Sequence, residues 1–241
     1  MPTINSKQLA AFLFIAFWSS LVARAANTFS ESEVRGIEAF LRTTFHERNS
    51  AIVVGLIDES GRRILADGSL NNGTDQKPDG DTVFFIGSVT KTFTALLLVE
   101  MAERGEVELD DPVAKFLPAS VRVPTRNGKE ITLLHLATHT GGFPGNANNM
   151  IGENTQQEYE TYSVEMMHEY VSKFELTRDP GSGFEYSNVG MALLGHALER
   201  RAGMSFESLV IERICRPLGM DSTCIKPTGE LKARLAMGRD R

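Results

Sequence analysis

A serine and a lysine stand three residues apart within 83–105, and together they could carry out nucleophilic chemistry. Ser88 follows Gly87, which interrupts a short apolar run, and a helical pattern continues from Ser88 to Gly105. Residues i and i+3 share one face of a helix, so the Lys91 amine is expected to reach the Ser88 hydroxyl. Burial lowers the pKa of an amine toward the range of a useful base, and a helix N-terminus favours a developing alkoxide. The pair is therefore a candidate nucleophile and base.

The element that must position this pair is a helix, and we expect it to be central. Every residue of 93–99 except Thr94 is apolar, which predicts a helix that other parts of the protein cover on most sides. Residues 83–86 ahead of it are predicted to form a short strand, so Ser88 is expected in the first turn of the helix. A Ser and a Lys at this spacing also arise by chance, and an ordinary helix start with a solvated lysine is the alternative.

A second motif joins Tyr186 and Asn188. Among the four tyrosines, only Tyr186 is followed two residues later by asparagine. It stands between the glycine-rich turn 180–183 and a predicted helix over 189–202, much as Ser88 stands after a glycine. The alternative is a buried tyrosine beside an asparagine that caps a helix.

The sequence resembles the serine β-lactamase and penicillin-binding-protein superfamily over most of residues 30–240. The resemblance is carried, in family order, by FFIGSVTKTFTALLLVEMAERGEVELDDPV, ITLLHLATHTGGFP, FEYSNVGMALLGHALERRAG and ICRPLGMDST. The sequence is most similar to class C β-lactamases and the related D-alanyl-D-alanine carboxypeptidases and esterases. The resemblance implies an α/β (α+β) protein of the β-lactamase-like fold, in which helices flank an antiparallel sheet beside an all-helical region.

The resemblance also implies roles for four residues. Ser88 would be the acylated nucleophile, and Lys91 its proton acceptor or the cation that depresses the pKa of its partner. Tyr186 would act as a phenolate-type base and then as an acid, and Asn188 would donate a hydrogen bond to the substrate amide and to Lys91. The Ser88 backbone N–H would form half of an oxyanion hole.

The implied activity is acyl transfer to water through an acyl-enzyme, with a β-lactam or a D-alanyl peptide as the small-molecule substrate. A small-ester esterase of the same family is the alternative, because these enzymes share the serine, lysine and tyrosine and differ mainly in their pocket walls. The sequence contains no cofactor or metal motif.

The third motif of the superfamily, K-T-G or H-x-G on a late edge strand, is not found in its usual place. No K-T-G occurs, His139–Gly141 matches H-x-G but precedes Tyr186, and Lys226–Gly229 has one residue too many. Since 53 residues follow Asn188, we expect a domain truncated at its C-terminus, with the last strands missing. A catalytically incomplete fragment that at most binds ligands is the corresponding alternative.

The histidines do not suggest a Ser-His-Asp triad. Residues 86–90 do not fit the G-x-S-x-G elbow of α/β-hydrolases. We predict that His135 and His139 are structural, with nearby backbone as their hydrogen-bond partner, and that His196 belongs to the core.

Residues 1–26 have the pattern of a signal peptide, with Lys7 before an apolar segment and Ala23–Ala25 as an A-x-A-like cleavage site. An uncleaved interfacial anchor is the minority alternative, and no stable membrane span is expected. Residues 27–241 are then the hydrolase domain, secreted or periplasmic.

The charge of that domain excludes some partners. Of 25 basic residues, Lys7 and Arg24 lie in the leader, which leaves 23 against 31 acidic residues and a net charge of −8. A charge of this sign argues against nucleic acid or an anionic membrane as partner. Cys215 and Cys224 could pair in an exported protein, or Cys215 could be buried and unpaired.

The remaining elements follow from capping and periodicity. Ser30–Glu33 fits a capping box before an amphipathic helix, and residues 51–58 and 62–66 predict a hairpin. Residues 145–162 have the composition of a long surface loop. Further helices are predicted from Pro112, over 133–138, over 163–174 and from 205 to about 216.

Overall fold

The computed structural model describes residues 28–45, 50–152 and 155–238. The predicted signal peptide lies outside these residues. Two compact units divide the described chain: one contains the residues up to Phe85 together with those from Pro227, and the other is Ile86–Lys226. None of the helices in the described ranges combines the length and the apolarity that a membrane span needs.

The first unit contains the predicted amphipathic helix and hairpin. Helix α1, Glu31–Phe45, begins with the predicted capping box, in which Ser30 Oγ accepts from the Glu33 N–H and the Glu33 carboxylate accepts from the Ser30 N–H. Strands β1, Ile52–Asp58, and β2, Gly61–Asp67, pair antiparallel with Asp58 opposite Gly61. A small apolar cluster joins helix and hairpin through Val34, Leu41, Leu56 and Leu65. Both predictions are confirmed.

The strand predicted over 83–86 is wrong. Val83 forms only an isolated parallel bridge with Leu235, in which its N–H donates to Arg234 O and its carbonyl accepts from the Ala236 N–H. Phe84 and Phe85 are exposed. A strand needs a neighbour along its whole length to satisfy its backbone groups, and in the described residues this segment has one only at Val83.

The second unit consists of short helices around one apolar core. In chain order it contains a 3₁₀ turn at Gly87–Val89, α2 at Thr90–Glu103, a 3₁₀ turn at Val113–Phe116, α3 at Leu133–Ala137, α4 at Thr155–Thr161, α5 at Val164–Lys173, α6 at Asn188–Ala202, α7 at Phe206–Val210 and a π-helical turn at Ile211–Cys215. Helix α8, Gly229–Ala233, belongs to the first unit. With helices and an antiparallel two-stranded sheet, the chain has the predicted mixed α/β character.

Helix α2 differs from its prediction in two ways. One face is buried, through Thr94, Leu97, Leu98 and Met101, but Leu96 and Val99 on the other side are 47% and 50% exposed. The expectation of a helix covered on most sides is therefore wrong for the described residues. Ser88 lies in the 3₁₀ turn ahead of α2 and not in its first α-helical turn, because Gly87 at φ +50° changes the chain direction there.

One later prediction is wrong, because the loop predicted at 145–162 contains α4. The helix predicted from Ser205 to about residue 216 is confirmed over 206–215, and its last five residues have π-helical geometry. Ser205 caps α7 through the Ser208 N–H. Cys215 is buried and Cys224 partly buried, and both thiols are free, which decides between the two alternatives for the cysteines.

Candidate active site

The structure brings Ser88, Lys91 and Tyr186 together on the second unit. The Lys91 Nζ donates to Ser88 Oγ at 3.1 Å, and the Tyr186 hydroxyl donates to the same oxygen at 2.6 Å. The Lys91 ammonium also lies 4.8 Å from the centre of the Tyr186 ring. One serine oxygen therefore has an ammonium and a phenol within hydrogen-bonding distance.

The start of α2 places two of these side chains on one face. Ser88 and Lys91 are three residues apart across the junction of the 3₁₀ turn and the helix. The positive end of the α2 dipole lies at this junction and favours negative charge on a nearby oxygen. The Ser88 hydroxyl is thus positioned by backbone that the core anchors from one side.

The third side chain, that of Tyr186, lies on a segment that is hydrogen-bonded to residues 139–145. The Gly181 N–H donates to Thr140 O, the Glu185 N–H to His139 O and the Asn188 N–H to Gly145 O. The buried Ser187 caps α6 by accepting from the Gly190 N–H at 2.9 Å. Tyr186 therefore projects from backbone that is hydrogen-bonded on both sides of it.

The surroundings of Tyr186 favour its ionised form. Hydrogen bonds from Lys91 and Ser88, together with the Lys91 charge, lower the pKa of Tyr186 below its ordinary value of 10.0. Its side chain is accessible, at 43% exposure, so a ligand can reach it. A phenol with a depressed pKa next to a hydroxyl is suited to accept and return a proton.

Asn188 has partners that differ from its predicted ones. Its amide N–H groups donate to Asn146 Oδ1 at 2.8 Å and to the Tyr159 hydroxyl at 3.0 Å, and that hydroxyl donates to Asn146 Oδ1 at 2.9 Å. The expected hydrogen bond from Asn188 to Lys91 is not formed in the described part of the chain. Sequence reasoning missed Asn146 and Tyr159, because both lie in the segment that was predicted to be a surface loop.

The two histidines of the LLHLATHTGG segment have the backbone partners that were predicted. His135 Nδ1 accepts from the Thr132 N–H at 3.2 Å and completes a capping box of α3. His139 Nδ1 accepts from the Ser187 N–H at 3.1 Å. His139 also packs against Tyr186, so its ring lies next to the candidate site, which the sequence did not indicate.

A cavity of about 430 Å³ opens beside Lys91 and Asn188. It follows one face of α6 from Asn188 to Glu199, about 16 Å at 1.5 Å per residue. The other walls come from α2, from α5 with the residues before it, and from Phe206. We call this cavity the α6 groove.

The α6 groove has an apolar body and a polar far end. Met167, Met191 and Phe206 are among its apolar walls, whereas His196 and Glu199 line the end away from Lys91. Within the described ranges, the buried Tyr162 hydroxyl and His196 Nε2 have no hydrogen-bond partner. Burial raises the pKa of Tyr162 to about 12, so its hydroxyl remains a donor at neutral pH.

The prediction that His196 is core holds only in part, because its ring lines this groove. His196 Nδ1 lies 3.3 Å from Glu199 Oε2, and the ring packs 5.1 Å from that of His168. Nowhere in residues 28–45, 50–152 and 155–238 do three His, Cys, Asp or Glu side chains group in a way that could hold a metal ion.

The chain is similar to hydrolases of one family. D-alanyl-D-alanine-carboxypeptidase/endopeptidase AmpH of Escherichia coli K12 is 37% identical over 185 residues, which are 77% of this chain and 47% of that protein. Esterase EstB of Burkholderia gladioli is 28% identical over 195 residues, 76% of this chain and 49% of that protein. The chain spans about half the length of these curated relatives.

A solved structure and a family model agree with the sequence matches. The β-lactamase/D-alanine carboxypeptidase from Yersinia pestis, complexed with citrate, superposes with a TM-score of 0.74 at 28% identity, over 86% of this chain and 60% of that one. The family model described as Beta-lactamase matches residues 42–241. The chain thus has the β-lactamase-like fold that the resemblance implied, and it belongs to the β-lactamase family.

Proposed function

We propose that this chain carries the acyl-transfer site of an exported serine hydrolase that acts on β-lactams or D-alanyl peptides through an acyl-enzyme. The observation that carries the proposal is the convergence of Lys91 Nζ and the Tyr186 hydroxyl on Ser88 Oγ, at 3.1 and 2.6 Å. A serine with a neighbouring base and cation has the arrangement that nucleophilic catalysis requires. Export is supported by the signal-peptide pattern of residues 1–26.

The proposed acylation begins with Tyr186 as the phenolate. Ser88 Oγ bonds to the substrate carbonyl carbon while its proton passes to the Tyr186 oxygen. When the tetrahedral species collapses, the bond from carbon to the leaving nitrogen breaks, and Tyr186 gives that nitrogen its proton. Lys91 stays cationic in this scheme and stabilises the phenolate.

Hydrolysis repeats these steps with water in place of the serine. The Tyr186 phenolate takes a proton from a water molecule while the oxygen of that water bonds to the ester carbon. Collapse breaks the bond from that carbon to Ser88 Oγ, and the proton returns to Ser88 from Tyr186. The serine and the phenolate are then restored.

The α6 groove supports a substrate with a sizeable acyl substituent. A cavity of about 430 Å³ beside Lys91, the hydrogen-bond partner of Ser88, is within the range of small-molecule sites. The Tyr162 hydroxyl and His196 Nε2 belong to groove residues and are buried without a hydrogen-bond partner in the described chain, so a polar substrate group that reached them would complete their hydrogen bonding, while Asn188 stands at the near end. An amide-bearing chain, as in penicillins and peptides, matches this alternation of apolar and polar wall.

Intact-mass analysis of the purified chain tests the proposed function. We expect one covalent adduct per chain after incubation with a fluorescent penicillin, and release of D-alanine from a D-alanyl-D-alanine peptide. Reaction with p-nitrophenyl acetate alone would favour the small-ester esterase. A folded chain that forms no adduct with the penicillin or with a fluorophosphonate would contradict the acyl-enzyme proposal.

Ala192→Phe tests the groove as the binding site of the acyl substituent. Ala192 is an exposed groove residue on α6, so the larger side chain fills the cavity without entering the core. We expect KM for a long-chain penicillin or a peptide to rise about 10-fold or more, while p-nitrophenyl acetate is hydrolysed within about 2-fold of the original rate. Ala192→Ser is the matched control, and equal losses for both substrate types would place the acyl substituent elsewhere.

A further inference from the structure

His139 contacts three consecutive residues, Glu185, Tyr186 and Ser187, through its backbone and its imidazole. The His139 carbonyl accepts from the Glu185 N–H at 2.9 Å, and its Nδ1 accepts from the Ser187 N–H at 3.1 Å. Between these two hydrogen bonds, the imidazole packs on the Tyr186 ring with 4.7 Å between ring centres and 35° between planes. Phe184 meets the same imidazole edge-on at 5.8 Å.

His139 holds this position at the cost of an unusual backbone conformation. Its φ of +58° lies in the left-handed region, which residues other than glycine rarely adopt. The chain on either side fixes it there, because the His139 N–H donates to Leu136 O at 3.3 Å and the Thr140 N–H donates to His135 O at 2.8 Å. Both acceptor carbonyls belong to α3, so the backbone around His139 is anchored to that helix, which Thr132 caps.

We propose that His139 is a positioning residue that holds the Tyr186 oxygen between Ser88 and Lys91. The inference rests on the proposed function only in that Tyr186 is the group that transfers the proton. The two polar contacts fix the backbone on each side of Tyr186, and the ring contact fixes the direction of its side chain. Displacing a reacting group by about 1 Å costs about 100-fold in rate, so this support matters for catalysis.

The contact to Ser187 requires a neutral imidazole with its Nδ1 lone pair free. Burial, and then the Lys91 charge, lower the pKa of His139 below 6.5, which keeps the ring neutral around pH 7. The titratable and charged groups that face it are Lys91, Tyr186, Glu185 and His135, and Glu185 is itself paired with Arg178 at 2.7 Å. Protonation would remove the acceptor for the Ser187 N–H.

Two substitutions separate the contacts. His139→Asn places Oδ1 near the Nδ1 position and tolerates positive φ, but it has no ring to pack on Tyr186. His139→Phe keeps a ring and loses the acceptor. We expect each variant to lower the acylation rate about 10-fold to 100-fold with KM unchanged, because His139 does not touch substrate in this scheme.

The pKa of Tyr186 provides a readout that general destabilisation would not move. It is measured from the phenolate absorbance of each protein minus that of the same protein carrying Tyr186→Phe. If His139 holds Tyr186 beside Lys91, both His139 variants must raise the pKa of Tyr186 toward 10.0. The pH range over which the acylation rate rises must then move to higher pH by the same amount. His168→Phe is the matched control, because His168 is another partly buried histidine packed on a ring and away from Ser88.

A measurement on the unaltered protein covers the case in which a variant does not fold. With ¹³C-labelled tyrosine, the ring signal of Tyr186, assigned through Tyr186→Phe, must move as the pH falls below 6.5 and His139 gains its proton. A Tyr186 signal that stays fixed there, or an unchanged Tyr186 pKa in folded His139 variants, would overturn the inference. Both readouts are independent of turnover, so failure of the proposed function leaves this test intact.

Discussion

Ser88→Ala is expected to abolish covalent labelling by penicillin and fluorophosphonate probes and to lower turnover by a factor on the order of 10⁶. The substitution removes the oxygen on which Lys91 and Tyr186 converge, and no other group then lies between them to attack the carbonyl. Because Ser88 is exposed, its loss should leave the core of the second unit unchanged. The measurement is intact mass after incubation with each probe.

Ser182→Ala is the control for this result. Ser182 is also an exposed serine, and its hydroxyl bonds only to the Asp179 carbonyl in the described chain. We expect that variant to be labelled as fully as the unaltered protein. An adduct that persists in Ser88→Ala would identify a different nucleophile and remove the basis of the proposed function.

Tyr186→Phe is expected to lower the acylation rate about 10²-fold to 10⁴-fold, the usual contribution of a proton-transfer group. The phenylalanine ring can keep its packing on His139 and its position under the Lys91 ammonium, so the change isolates the hydroxyl. Stopped-flow acylation by a chromogenic β-lactam measures the effect. A rate within a few-fold of the original would make Lys91 alone the proton acceptor.

The pH dependence of acylation also distinguishes Tyr186 from Lys91 as the proton acceptor. With Tyr186 as the base, the phenolate is the active form, so the rate rises with pH through the Tyr186 pKa and falls as the pH decreases below it. That pKa lies below 10.0 because of the Lys91 and Ser88 hydrogen bonds and the Lys91 charge. Tyr186→Phe should abolish this limb, and Lys91→Met should move it to higher pH, because the cation that lowers the pKa is gone.

Local sequence signals predicted those elements whose contacts are local. The capping box at Ser30 and the hairpin at 52–67 are decided within a few residues, and both are found as expected. The closeness of Lys91 to Ser88 follows from helical spacing in the same way. Helix α4 was missed because its sequence TQQEYET has no apolar periodicity and lies in a segment rich in polar residues.

Contacts between distant segments could not be predicted from residue patterns. The distance between Tyr186 and Ser88, 98 residues apart, was expected only from the resemblance to a family. No pattern pairs His139 with Tyr186 or Asn188 with Asn146, since these contacts depend on how segment 139–146 runs beside 181–188. The strand predicted at 83–86 failed for the same reason, because pairing depends on a partner that the segment itself does not specify.

The hydrogen bonds of Asn188 affect which ligands the site can distinguish. Its amide is already satisfied by Asn146 and Tyr159, so a substrate carbonyl that binds it would exchange one partner for another. Such an exchange contributes little net free energy, since hydrogen bonds are broken as well as formed. A ligand without that carbonyl leaves the amide paired and incurs no penalty from an orphaned donor. If the site acts as proposed, Asn188 would therefore discriminate little between an amide substrate and a simple ester, because its amide gains little from the first and stays paired with the second.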